Sequence, residues 1–161
     1  MKRSSATLKE FVMKRLLAVA TLVSVGVVAT LAAQQLERIN PPGLSTPQTY
    51  SHIVKAGKLI FIAGQVGATA DGKPAGAGMR EQTEQTLRNL QAVLKSQGLD
   101  FSHVAKITIY TTSISEFRAA DVAEARARFF GANRPASTLV QISQLASPEY
   151  KIEIEAIAVA P

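Results

Sequence analysis

Two carboxylates near the end of the chain, Glu153 and Glu155, are the residues whose type and spacing best suit chemistry. They stand in the run Glu149-Tyr150-Lys151-Ile152-Glu153-Ile154-Glu155-Ala156-Ile157-Ala158, whose two-residue alternation predicts a strand. Ile152, Ile154, Ala156 and Ala158 then point one way, and Lys151, Glu153 and Glu155 the other. A carboxylate on that second face is either a solvated surface group or, in a wet cleft, a group able to give and take protons. Upstream, Arg134-Pro135-Ala136-Ser137-Thr138 offers a guanidinium and two hydroxyls. No His stands in a recognisable arrangement with Ser137 or Thr138, so a nucleophile is not indicated.

Other chemistries are excluded more simply. The chain has no Cys, which removes thiol catalysis, disulfides and Cys-ligated zinc. His52 and His103 are far apart in sequence with no third ligand, so no metal site is expected. Gly72-Lys73 is followed by Pro74, not by a Ser or Thr opening a helix, so the Gly-rich stretch is no phosphate loop. No cofactor is expected.

The elements that must position these residues follow from pattern. The first 33 residues hold Lys2, Arg3, Lys9, Lys14 and Arg15 ahead of the uncharged run Leu16 to Ala33. A basic stretch, an apolar stretch and small residues at Thr30 and Ala32 have the layout of a secretory signal. The run has 18 residues, the low end of a membrane span, so an uncleaved anchor is the rival reading and a buried helix a third. Both leading readings place the rest of the chain outside the cytoplasm, in a periplasmic or secreted setting. A membrane would be met only through this segment, and only if it is not removed.

Of the 18 basic and 12 acidic residues, 13 and 11 remain after residue 33, so the strongly basic balance belongs mostly to the start of the chain. No basic cluster interleaved with aromatics marks a nucleic-acid partner. Residues 34–48 contain Asn40-Pro41-Pro42-Gly43 and read as a linker. Residues 49–161 are enough for one domain.

Within that domain, Tyr50 to Val54 and Lys58 to Ala63 predict a hairpin turning at Ala56-Gly57. Gly64 to Gly78, with five glycines, predicts a long loop. Met79 to Gln97 predicts an amphipathic helix with Leu87, Leu90, Val93 and Leu94 on its buried face and Gly98 beyond its end. His103 to Thr112 predicts a strand. A second helix is expected from a cap at Ser115 through Phe130, stopped by Gly131, and Ser137 to Ser143 and Tyr150 to Val159 complete the sheet. Two helices cannot cover both faces of such a sheet. They are expected on one face, leaving Glu153, Glu155, Lys106 and Tyr110 on the other, to be closed by an oligomer.

Tyr50, Ala63-Gly64-Gln65-Val66, the helix Glu81 to Leu90, Pro135-Ala136-Ser137-Thr138 and Ile152 to Ala156 together resemble the RidA/YjgF family of reactive-intermediate deaminases. The resemblance covers about residues 48 to 159. It implies an α+β, chorismate-mutase-like domain with a mixed sheet, assembled as a homotrimer with ligand clefts at the subunit interfaces. It implies hydrolysis of 2-imino acids, or their enamine tautomers, to keto acids and ammonia. Glu153 would handle the water and its proton, and Tyr50, Ala63, Gly64, Gln65, Ser137 and Thr138 would line the cleft. The chain departs from the pattern where it matters for anions. Ser137 stands where the family has an Arg that grips the substrate carboxylate, Ala63 where a Ser is frequent, and Ala123 where an Asn is frequent. Arg134 is the nearest substitute cation, three residues away and so on the other face of an ideal strand. Three readings stay open: a small-molecule-binding trimer descended from deaminases, an active deaminase, and a holdase-like interaction trimer.

Overall fold

In a computed structural model of the chain, residues 10–15, 35–44 and 46–161 are described. The chain divides into two units, Met1–Gln34 and Gln35–Pro161. In the first, residues 10–15 are helical; the expected signal or anchor at Leu16 to Ala33 lies outside the described residues.

The second unit contains six strands: β1 (Glu37–Ile39), β2 (Ile53–Ala56), β3 (Leu59–Val66), β4 (Val104–Thr111), β5 (Ala136–Gln141) and β6 (Ile152–Val159). They form one sheet in the order β1-β2-β3-β6-β4-β5. Every pairing is antiparallel except β4 with β5, which is parallel, so the sheet is mixed as expected. Among the described residues three α-helices accompany it, α1 (Met79–Ser96), α2 (Ile114–Phe117) and α3 (Ala120–Phe130), with a short 3-10 turn at Phe101–His103.

The alternation along β6 decides which face is core. Ile152, Ile154, Ala156 and Ala158 are all buried, while Glu153 is half-buried and Glu155 exposed on the reverse side. Leu87, Leu90, Val93 and Leu94 of α1 are completely buried against the first face, as their helical spacing requires. Gly98 turns the chain beyond α1 at φ 70°, and the Leu99 N–H closes on Leu94 O at 3.0 Å. Among the described residues the other face carries no helix. Leu59, Phe61 and Val159 remain 39–43% exposed there.

Several expectations need correction. The stretch read as linker holds strand β1, whose Ile39 pairs with Ile53. The proline pair that suggested a break begins only after Asn40, whose side-chain oxygen accepts the His52 N–H at 2.9 Å. The first expected strand begins at Ile53, leaving Tyr50 ahead of it. Gly64 and Gln65 belong to the end of β3 and not to the loop.

The single helix expected from Ser115 is two. Ser113 is the cap, its hydroxyl accepting the Glu116 N–H at 3.2 Å, and the chain is extended at Ala119 before α3 begins. On one continuous helix Phe117 and Val122 would point about 140° apart. The break lets both be buried, each 2% exposed.

Candidate functional site

Glu153 and Glu155 project from the uncovered face of β6, and the register shows what flanks them. Glu153 lies between Val66 of β3 and Tyr110 of β4, and Glu155 beside Thr108. Between Ile62 and Gln65 the pairing with β6 slips, so Ala63 and Gly64 together stand opposite Glu155; Gln65 then pairs with Ile154, and Val66 with Glu153.

This irregularity makes room for a carboxylate. A Cβ built on Gly64 would stand 2.6 Å from the Glu153 carboxyl carbon, and closer still to its Oε1. Only glycine lets the Glu153 side chain lie against the backbone there. Gln65 fixes the shape. Its side chain is buried and its Nε2 donates to Ala63 O at 2.9 Å and Gly64 O at 3.3 Å. The Ala63 N–H is held by His52 O at 2.9 Å.

A groove of about 930 Å³ opens at this point. Tyr50, Ala63, Gly64, Gln65 and Glu153 all line it, so five of the expected site residues come together. Burial, and then the neighbouring charge of Glu155, push the Glu153 carboxyl above its ordinary pKa. A shift in that direction suits a carboxyl that gives as well as takes protons.

The remaining expected residues lie elsewhere in the chain. Ser137 and Thr138 are exposed on β5, the sheet edge two strands from β6, about 10 Å away at the usual spacing. The parallel register pairs Thr138 with Thr108, on the face that carries Glu155. It pairs Ser137 with the buried Ile107, on the helix-covered side. Arg134 is a loop residue that caps its own turn, Nη1 donating to Gly131 O at 2.6 Å and Asn133 O at 3.0 Å. It does not line the groove, and neither does Ala123 on α3. Lys106 borders a smaller hollow of about 290 Å³ on the uncovered face, with Glu155, Phe61 and Thr108.

The groove also has walls that sequence pattern did not single out. His52, buried beside Tyr50 with the rings edge-on at 5.8 Å, is one. Asn89 on α1 is another. Its Nδ2 donates to Val66 O at 3.0 Å and Ala68 O at 2.9 Å, tying the end of β3 to the helix. Arg88 reaches the helix side of the groove, but its guanidinium is paired with Glu84 at 2.9 Å. Arg80 and Arg128 also close on Glu84. Burial alone would raise the Glu84 pKa; the three guanidinium groups outweigh it and lower it. An Asn and a Gln within an otherwise helix-forming repeat were the signal available for these polar anchors.

A half-covered mixed sheet with an acid seated in a strand irregularity defines a small α+β protein whose site lies on its open face. Comparison with known proteins sharpens that class. Residues 43–160 match the family model described as Endoribonuclease L-PSP. The chain is 32% identical over 132 residues to the human 2-iminobutanoate/2-iminopropanoate deaminase, covering 81% of this chain and 93% of that one. It is 37% identical over 110 residues to a RutC family protein of Pyrococcus horikoshii, covering 68% and 85%. Among solved structures it superposes on E. coli TdcF with bound serine at a TM-score of 0.69 and 27% identity, covering 78% of this chain and all of that one. The chain belongs to the RidA/YjgF family.

Proposed function

We propose that this protein is a RidA-type small-molecule site that acts on C=N bonds, with Glu153 as the proton-handling group. One observation supports this above others: Glu153, its pKa raised, seated on Gly64 in a groove shared with Tyr50 and Gln65. Water adds across the C=N bond while the Glu153 carboxylate takes its proton. The same carboxyl then returns a proton to nitrogen, the C–N bond breaks, and a carbonyl compound and ammonia leave. The deaminase named among the relatives supports this reaction class.

Standard 2-imino acids are poor substrates in this reading. Their carboxylate needs a cation, and Ser137 offers only a hydroxyl. A charge-assisted contact is worth roughly 1.5–3 kcal/mol, a factor of about 10 to 150 in binding. The protein therefore binds ligands in the family's manner with weak turnover of carboxylate-bearing imines.

The groove is open along one side within a single chain, and Leu59, Phe61 and Val159 lie exposed on the same face of the sheet. Three copies closing on these faces would bury the apolar residues and bring the β5 residues of one chain to the groove of the next. The basic residues and the apolar run at the start of the sequence support a proposed location outside the cytoplasm. The family description names an endoribonuclease. An acid at the centre of the groove opposes a polyanion, so RNA is not the proposed substrate.

The test is ammonia and keto-acid release from 2-iminobutanoate generated in situ, using the full chain and Glu153→Gln. A slow rate that Glu153→Gln reduces to background is expected. Equal rates for the two proteins would overturn the assignment. Light scattering checks the trimer, and cell fractionation checks the location.

A further inference from the structure

The charges along the groove point to a narrower ligand class. Among the described residues lining it, the charged groups are Glu153, Glu155 and Arg88. Arg88 is committed to Glu84, a partner it shares with Arg80 and Arg128. Two carboxylates are left facing the ligand space. Glu153 makes no ion pair among the described residues: Lys55 pairs with Glu37, Lys151 pairs with Glu116 and Arg134 bonds its own loop carbonyls, while Lys106 borders the adjoining hollow with Glu155 and does not line this groove. Tyr50, 55% exposed, adds an aromatic ring to the same wall. An acid that is half-buried, close to a second acid and near an aromatic face is an environment for a cation. It repels an anion.

We propose that the groove selects amines and imines that carry no carboxylate, holding their protonated nitrogen against Glu153. This rests on the reading of Glu153 as the centre of the site, and it reverses the charge of the substrates that reading starts from. A protonated imine is also the form most easily attacked by water, so Glu153 would stabilise the reactive cation before accepting the proton of the water. Atoms balance as in any imine hydrolysis: one water is consumed, and one carbonyl compound and one amine or ammonia are released.

Three probes of similar size separate the charges. Ethanolamine has the amine without the carboxylate, serine has both, and 3-hydroxypropionate has the carboxylate alone. Binding to the full chain at pH 7 is measured by calorimetry or by perturbation of amide resonances. Ethanolamine is expected to bind at least as tightly as serine, with 3-hydroxypropionate undetected. Glu153→Gln, nearly isosteric, is expected to weaken ethanolamine by about tenfold or more, the loss of one charge-assisted contact. Ser137→Arg is expected to shift preference toward serine if copies of the chain meet at the groove. Serine binding more than tenfold tighter than ethanolamine, ethanolamine binding unchanged in Glu153→Gln, or no ethanolamine binding at all would each overturn the proposal. The outcomes separate from those of the reaction itself. Rapid 2-iminobutanoate hydrolysis with no ethanolamine binding sinks this inference alone, and Glu153-dependent ethanolamine binding without hydrolysis of 2-iminobutanoate or of a carboxylate-free imine sinks the reaction class alone.

Discussion

Gly64 and Glu153 are fitted to each other across two strands: the carboxylate occupies the space that any side chain at residue 64 would fill. The slip in pairing between Ile62 and Gln65 creates that space, and the Gln65 amide holds it open by bonding the Ala63 and Gly64 carbonyls. The acid is thereby placed by backbone, with no cation required to hold it.

Substituting Gly64→Ala forces the Glu153 side chain off its seat. The clash is with the far end of a flexible side chain, which moves aside at little cost to the fold. A melting temperature close to wild type is expected together with loss of Glu153-dependent activity and binding. Full activity in a normally folded Gly64→Ala variant would show that the seat has no functional role.

Glu153 has a stability signature as well. Its pKa is raised in the folded protein, by burial first and by Glu155 second. The folded state therefore binds a proton more readily than the unfolded chain. Its effect on stability is most favourable below the unfolded value and declines as pH rises through the folded pKa. Glu153→Gln is expected to raise the melting temperature at pH 7, and the gain is expected to vanish on acidification below the ordinary carboxylate range. Thermal melts of both proteins at several pH values measure this, and a Glu153→Gln variant less stable at pH 7 than at pH 4 relative to wild type would contradict it.

Gln82 closes the other side of the site region. It is completely buried, its Nε2 donates to Gly76 O and Glu149 O at 2.9 Å, and its Oε1 accepts the Lys151 N–H at 2.8 Å. One side chain thus joins α1, the glycine-rich loop and the approach to β6. Gly67 comes so near that a Cβ there would stand 2.6 Å from Gln82 Cβ. Gln82→Leu leaves three backbone groups without this partner, at about 1–3 kcal/mol for each one that stays buried. Denaturant unfolding is expected to show a large loss of stability, whereas an unchanged midpoint would mean that water replaces the amide.

The strands and α1 were legible because their apolar residues repeat with one period from end to end, as in Ile152 to Ala158 and Leu87 to Leu94. Strand β1 was not, because three residues beside a proline pair carry too little pattern to outweigh it. The break before α3 was hidden because its cause is tertiary: Phe117 and Val122 must both reach the core. The site divides the same way. Glu153 and Gly64 could be named from the sequence, yet their fit depends on a slipped register that no local pattern encodes. Asn89 and Gln82 serve backbone groups distant in sequence, 67 residues away for Gln82 and Glu149, so their roles appear only in the folded chain. The separation of Ser137 and Thr138 from Glu153 is likewise a property of strand order.

The most direct measurement is 2-iminobutanoate hydrolysis by four full-length proteins: wild type, Ser137→Arg, Glu153→Gln and the double variant. With β5 of one chain brought to the groove of the next in the proposed trimer, the account predicts slow turnover by wild type, about a 10- to 150-fold gain in kcat/KM for Ser137→Arg, and loss of that gain when Glu153→Gln is added. A gain that survives Glu153→Gln would contradict it, because the acid on Gly64 would then have no part in the reaction.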